Sequence, residues 1–199
     1  PILYPWACTC RPDVLSAGLS LAGFLLIRHS NSALRTAGAI ALFLLAFLAK
    51  QSSVAIPLAL MAHAAASQQG RRGVRLGLGW GAALGAAVLA MHLGTGGLST
   101  LNLFGSNAAP LELRNLRVVG GLFFQAALLP LVLASAGLAR KGMRAPETWL
   151  FLVTLGWALA TCAKLGSNVN YFVEPLAAAC LLVPAGMEVL TGASDRAVR

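Results

Sequence analysis

Long apolar stretches without charged residues alternate with short polar segments along the whole chain. A helix needs about 20 residues to cross the hydrocarbon core of a bilayer, and the longer stretches meet that length. Residues 36–66 allow two interpretations, a hairpin turning at Lys50-Gln51-Ser52 or one long helix. The pattern predicts transmembrane helices at about residues 14–27, 36–49, 53–66, 74–93, 118–138, 148–163 and 171–190.

Composition agrees with this interpretation. Apolar residues make up 58% of the 199 residues and charged residues only 11%, whereas a soluble domain carries about 25% charged residues. These values exclude a disordered chain and an ordinary soluble domain. The sequence therefore predicts an all-α, polytopic transmembrane helical bundle of about seven spans, forming a single domain over residues 1–199.

The placement of Lys and Arg decides between the hairpin and the long helix. The chain has 15 Lys+Arg against 6 Asp+Glu, and no nucleic-acid-binding signature accompanies them, so no nucleic acid partner is expected. With seven spans and an outer N-terminus, ten basic residues fall inside and five outside, as the positive-inside rule favours. A merged helix would invert that balance. The five outer residues are Arg11, Lys50, Arg114, Arg117 and Lys164.

The start of the chain and its cysteines add two expectations. The sequence begins with Pro1 and not with an initiator Met. The predicted topology has an odd number of spans and an outer N-terminus, yet no signal sequence precedes the first span. We therefore expect a fragment of a larger membrane protein. Cys8, Cys10, Cys162 and Cys180 match neither a zinc site nor a redox motif. They are interpreted as small apolar fillers.

The outer basic residues run against the positive-inside bias and are the first candidates for chemistry. Lys50 ends a predicted helix beside Gln51, a combination that suits a lipid phosphate, although a lysine at a helix end also snorkels to the interface. Arg114 and Arg117 lie on one face of a short helix expected at 111–117 after Pro110. They suit a phosphate or an anionic lipid headgroup.

Polar and acidic residues at the same membrane boundary form a second group. Asp13 either stabilises a helix start or acts as a general base or metal ligand. The segment 164–175 carries Asn168, Asn170, Tyr171 and Glu174, which either bind sugar hydroxyls or cap and stabilise the next helix. His and Cys spacings form no metal motif, so cofactors stay unassigned and a divalent metal is possible.

Three motifs resemble a known family. The series Trp6…Arg11-Pro12-Asp13-Val14-Leu15, the run Leu48 to Leu58 around Lys50-Gln51-Ser52-Ser53, and the run Gly166-Ser167-Asn168-Val169-Asn170-Tyr171-Phe172-Val173-Glu174-Pro175 are together similar to bacterial membrane glycosyltransferases of the GT-C superfamily, in the branch that resembles protein mannosyltransferases. The similarity extends over nearly the whole chain, and the last run is its most specific part.

The resemblance implies a multi-pass protein of the bacterial inner membrane with an extracytoplasmic active face. It would move a sugar from a polyprenyl-phosphate carrier to an acceptor, with the carrier phosphate at Lys50 and a carboxylate taking the acceptor proton. The family's acidic pair would precede Pro1, so we expect this chain alone to be inactive. The alternatives are a polytopic transporter or lipid flippase, and a noncatalytic membrane scaffold.

Overall fold

The computed structural model describes residues 12–30, 32–105, 109–164 and 167–192. Within these ranges the chain is all-helical, without strands, and Leu111 and Lys164 form an isolated antiparallel bridge. The described residues form nine α-helices, a π-helix at Leu101–Gly105 and a 3₁₀-helix at Val169–Phe172. The α-helices are α1 Pro12–Ile27, α2 Ala33–Ala49, α3 Ala55–Ala66, α4 Gly70–Gly94, α5 Leu98–Thr100, α6 Leu113–Ala126, α7 Leu128–Lys141, α8 Pro146–Cys162 and α9 Val173–Thr191.

Helix length and hydropathy identify the membrane-type segments among the described residues. Gly70–Gly94 and Val169–Thr191 are long and apolar enough to cross a bilayer, and the bent pair α6 and α7 makes a third if it counts as one span. Shorter apolar helices occur at Pro12–Ile27, Ala33–Ala49 and Ala55–Ala66. Residues 36–66 are two helices separated by a turn, and the merged helix is absent.

The expected single helix over 118–138 is instead two helices, α6 and α7, with an angle of 81° between them. Pro130 lies in the first turn of α7. Proline has no N–H to donate to the carbonyl of Ala126, and its ring crowds that carbonyl. The helix therefore breaks at Ala127, and α6 leaves in another direction.

The short interfacial helix expected at 111–117 also has different bounds. It begins at Leu113 and continues to Ala126. Leu111 bridges to Lys164, and the Glu112 N–H donates to the Ala163 carbonyl at 2.7 Å. These contacts hold residues 111 and 112 in extended backbone, so the helix cannot begin at Pro110.

Polar contacts collect at the two ends of the bundle. At one end, which we call the arginine end, Arg28 after α1 and Lys141 of α7 both contact Glu147 of α8, at 3.1 and 3.4 Å. His63 of α3 donates to the carbonyl of Arg144, in the connection between α7 and α8, at 3.0 Å. The opposite end, which we call the lysine end, brings together Lys50 after α2 and Asp13 in α1. Successive long helices thus run in opposite directions.

The closest helix packing joins α7 and α9. A Cβ added at Gly137 would collide with the Leu182 carbonyl, and one added at Gly186 with the Leu133 carbonyl. Only glycine permits this backbone approach, a known mode of helix association in lipid. In α4, Gly77 packs against Met61, whereas no other part of the chain lies within 4 Å of a Cβ added at Gly81 or Gly85.

Candidate functional site

Asp13 and Lys50 form a buried ion pair at the lysine end. Lys50 Nζ lies 2.5 Å from Asp13 Oδ1, and the side chains are 19% and 4% exposed. The Asn170 Nδ2 amide donates to the same oxygen at 2.7 Å. The Lys50 ammonium also lies 4.5 Å from the centre of the Tyr171 ring, a cation–π distance. Four residues that sequence analysis named separately therefore meet at one point.

The turn after α2 positions Lys50. The Lys50 N–H donates to the Ala46 carbonyl at 2.8 Å, and the Ser53 N–H donates to the Lys50 carbonyl at 3.0 Å. The Ser16 hydroxyl of α1 donates to the Ala46 carbonyl at 3.0 Å and contacts the Ser53 hydroxyl. Both ends of this turn are thereby fixed to the helix that carries Asp13.

A stacked aromatic pair holds the segment with Asn170 and Tyr171. Phe172, fully buried, stacks on Phe123 of α6 with ring centres 4.1 Å apart and planes 14° from parallel. The 3₁₀-helix Val169–Phe172 cannot shift without breaking this contact. Its two polar side chains are therefore held against Lys50.

Glu174 completes what we call the Lys50 cluster, defined as Asp13, Lys50, Asn170, Tyr171 and Glu174. Its carboxylate lies beside Lys50 and Ser53. Glu174 Oε1 and Asn170 Oδ1 are buried and have no hydrogen-bond partner. All five residues line a cavity of about 20 Å³, which holds one water-sized group. A hydroxyl in that cavity would supply the missing donor.

A larger cavity adjoins the Lys50 cluster. It measures about 350 Å³, within the range of small-molecule sites, and its apolar wall includes Phe47, Leu84 and Phe104. Ser52, Trp157 and Tyr171 line both cavities. We call the larger space the apolar groove. Its polar lining residues include Gln51, Thr161 and Lys164.

The other predicted site residues lie outside the Lys50 cluster. Gln51 lines the apolar groove. Asn168 is exposed and accepts from the Val169 N–H at 2.7 Å, so it caps the 3₁₀-helix. Arg114 and Arg117 are exposed in the first turns of α6. Between them, Asn115 donates to the Cys162 and Lys164 carbonyls, both at 2.7 Å, which ties the start of α6 to the segment that borders the groove.

Sequence reasoning missed Trp157. Its indole N–H donates to the Ser52 carbonyl at 3.0 Å, so it joins α8 to the turn after Lys50 and separates the small cavity from the groove. Trp157 lies near the end of the predicted span 148–163, and a tryptophan in such a position usually indicates an interfacial anchor. That signal does not indicate a site residue.

Metal ligands and cysteines add little to this site. Within the described part of the chain, no group of three or more His, Cys, Asp or Glu side chains is arranged to hold a metal ion. Cys162 is buried and Cys180 exposed, and both are free thiols. Trp6, Cys8, Cys10, Arg11 and Gly166 lie outside the described residues.

Comparison with protein-family models, curated proteins and solved structures finds no match for this chain. The functional assignment therefore depends on the geometry of the Lys50 cluster and the apolar groove, together with the motifs described above.

Proposed function

We propose that this chain is part of a membrane glycosyltransferase that moves a sugar from a polyprenyl-phosphate carrier to an acceptor at the lysine end of the bundle. The carrying observation is the Lys50 cluster itself, in which a lysine, two carboxylates, an amide and a tyrosine adjoin an apolar groove. A lipid-linked sugar phosphate has matching parts: a hydrocarbon tail, an anion and hydroxyl groups.

In this proposal Lys50 stabilises the leaving phosphate. An ammonium has three donor hydrogens, and the contact with Asp13 uses one of them. Asp13 and the Tyr171 ring fix the direction of the ammonium, so little reorganisation accompanies the reaction. We assign Asp13, which the sequence offered as a general base, to positioning Lys50.

The reaction is a displacement at the anomeric carbon. The acceptor oxygen forms a bond to that carbon while the bond from the carbon to the phosphate oxygen breaks. The electron pair leaves with the polyprenyl phosphate, and a carboxylate of the acidic pair that the resemblance implies in the larger protein takes the acceptor proton. A sugar hydroxyl that enters the small cavity donates to one of the two unpartnered oxygens, Glu174 Oε1 or Asn170 Oδ1.

The topology in this proposal has seven crossings, with the fifth made by the bent pair α6 and α7. The alternating helix directions and the separation of Lys50 from the arginine end support it. We assign the protein to the bacterial inner membrane because of the resemblance described above, and we orient the lysine end outward because of the positive-inside count. Arg114 and Arg117 then lie at the outer surface, where they bind lipid phosphate.

Carrier binding tests the proposal. The 199-residue chain in nanodiscs is titrated with a long-chain polyprenyl phosphate and, separately, with the uncharged polyprenol. Loss of a charge-assisted contact costs about 1.5–3 kcal/mol, so Lys50→Gln should weaken binding of the phosphate by about tenfold or more and leave polyprenol binding unchanged. Arg144→Gln, an exposed cation at the arginine end, is the matched control.

Two results would contradict the proposal. One is unchanged affinity for polyprenyl phosphate both in Lys50→Gln and in the Arg114→Gln/Arg117→Gln double variant. The other comes from vesicles that contain the complete parent protein and are given a polyprenyl-phosphate-linked radiolabelled sugar. Label that crosses the bilayer while still attached to its lipid indicates a flippase, whereas label that appears on a cell-envelope acceptor supports transfer.

A further inference from the structure

Another cavity, separate from the small cavity and the apolar groove, lies at the arginine end. It measures about 210 Å³ and opens between the end of α1 and the first turns of α2 and α4. Two arginines, Arg72 and Arg75, contribute its charged wall. The remaining wall is mostly apolar, formed by Ile27, Ala33, Thr36, Ala37, Ile40 and Leu76. The glycosyl-transfer proposal makes no use of this cavity.

Arg72 is held in place by its neighbours. Its Nη1 donates to Gln69 Oε1 at 3.1 Å, and its Nη2 donates to the Ile27 carbonyl at the end of α1. Arg75 follows three residues later, on the same face of α4, and is exposed. One guanidinium is therefore fixed at the cavity wall, and the second lies at its open side.

Among the described residues, no carboxylate forms an ion pair with either arginine. The ion pairs formed within the described ranges engage Arg28, Lys50, Arg140 and Lys141, and none includes Arg72 or Arg75. Like charges spaced three residues apart on a helix repel each other. An anion held between them would remove that repulsion and accept hydrogen bonds from both guanidinium groups.

The apolar wall narrows the choice of anion. Ile40 and Leu76 line the same cavity as the arginines, so a ligand that fills it presents hydrocarbon beside its charge. Inorganic phosphate has no such part. Basic pockets between membrane helices bind the headgroups of anionic lipids, and an acyl chain lying against α2 and α4 would satisfy the apolar wall.

We propose that the cavity at Arg72 and Arg75 is a binding site for one anionic phospholipid, whose phosphate lies between the two guanidinium groups and whose acyl chain lies against Ile40 and Leu76. The site is separate from the carrier site and does not depend on the proposed transferase activity.

Lipid selectivity measured by native mass spectrometry tests this site. The 199-residue chain in neutral detergent is titrated with phosphatidylglycerol and, separately, with phosphatidylcholine of the same acyl chains. We expect the first bound phosphatidylglycerol to be favoured by about tenfold, the equivalent of roughly one charge-assisted contact. Arg72→Gln/Arg75→Gln should abolish that preference.

The control is Arg71→Gln/Arg144→Gln, which removes the same charge from exposed positions at the same end. It should keep the preference, and an equal loss in this variant would assign the binding to general surface charge and overturn the proposal. Competition by millimolar inorganic phosphate would also overturn it, because the ligand would then be a free anion. The single variant Arg75→Gln leaves the contact of Arg72 with the Ile27 carbonyl intact. In this variant we expect the preference for phosphatidylglycerol to fall several-fold.

Discussion

The pairing of Asp13 with Lys50 explains how a lysine and an aspartate can both be buried at a membrane boundary. Either charge alone would lose its hydration with little in return, and removing one partner of a buried pair leaves the other uncompensated. Asn170 adds a hydrogen bond to the carboxylate at 2.7 Å, which spreads the stabilisation over three helical segments. The pair is therefore a structural element of the bundle as well as a part of the candidate site.

This leads to a prediction about stability. Asp13→Asn should lower the free energy of unfolding by about 3 kcal/mol, because it removes the carboxylate paired with the Lys50 ammonium and leaves only Glu174 beside it. Asp13→Asn/Lys50→Gln should recover part of that loss. Thermal unfolding of the detergent-solubilised variants measures both effects. Losses that simply add in the double variant would show that the two side chains are not coupled.

The residue types of the site could be predicted, but not all of their partners. Asp13, Lys50, Asn170, Tyr171 and Glu174 were identifiable because each is a polar residue at the edge of an apolar run. The contact between Asp13 and Lys50 spans 37 residues and depends on how α1 and α2 pack. A single sequence contains no direct signal for such a contact, so a helix-capping role for Asp13 was the simpler interpretation.

At the scale of helices, apolar run length predicted where helices lie better than where they bend. The break at Ala127 follows from Pro130, which the sequence displays, yet the run 118–138 has no charged residue and indicates one continuous span. Prolines are tolerated within membrane helices, and Pro184 lies inside α9. Whether the helix bends at Pro130 depends on the position of α6, and that position is fixed by the stack of Phe123 on Phe172.

The contact of α7 with α9 gives a second prediction. Gly137→Ala should destabilise the bundle by about 1–3 kcal/mol, because the new methyl group would collide with the Leu182 carbonyl and separate two backbones. Gly156→Ala in α8 is the control, since nothing lies within 4 Å of its added Cβ. It should be neutral or slightly stabilising. Denaturation by increasing SDS in mixed micelles compares them, and equal stability would refute the close packing.

At the scale of the whole molecule, the two ends of the bundle differ in kind. The arginine end carries ion pairs between helix ends together with the unbalanced Arg72 and Arg75, and the lysine end carries the small cavity and the apolar groove. The positive-inside count could predict this separation because it depends only on sequence order and helix direction. The cavities could not be predicted, since they arise from the shape of packed side chains.

The topology itself can be measured with single cysteines. In a background without the native cysteines, Gln51→Cys and Gln69→Cys place exposed thiols near opposite ends of α3. A membrane-impermeant maleimide applied to intact cells should label Gln51→Cys, and Gln69→Cys should react only after the cells are opened. Labelling of both from one side would mean that α3 does not cross the membrane.

The position of Asp13 and Lys50 within one helical hairpin also bears on how the chain enters the bilayer. Asp13 is at the start of α1, and Lys50 immediately follows α2, so both charges belong to the first 50 residues of the chain. A charged side chain in a single inserted helix is costly. Once α1 and α2 lie side by side, these two charges compensate each other, which favours the joint release of both helices from the translocon.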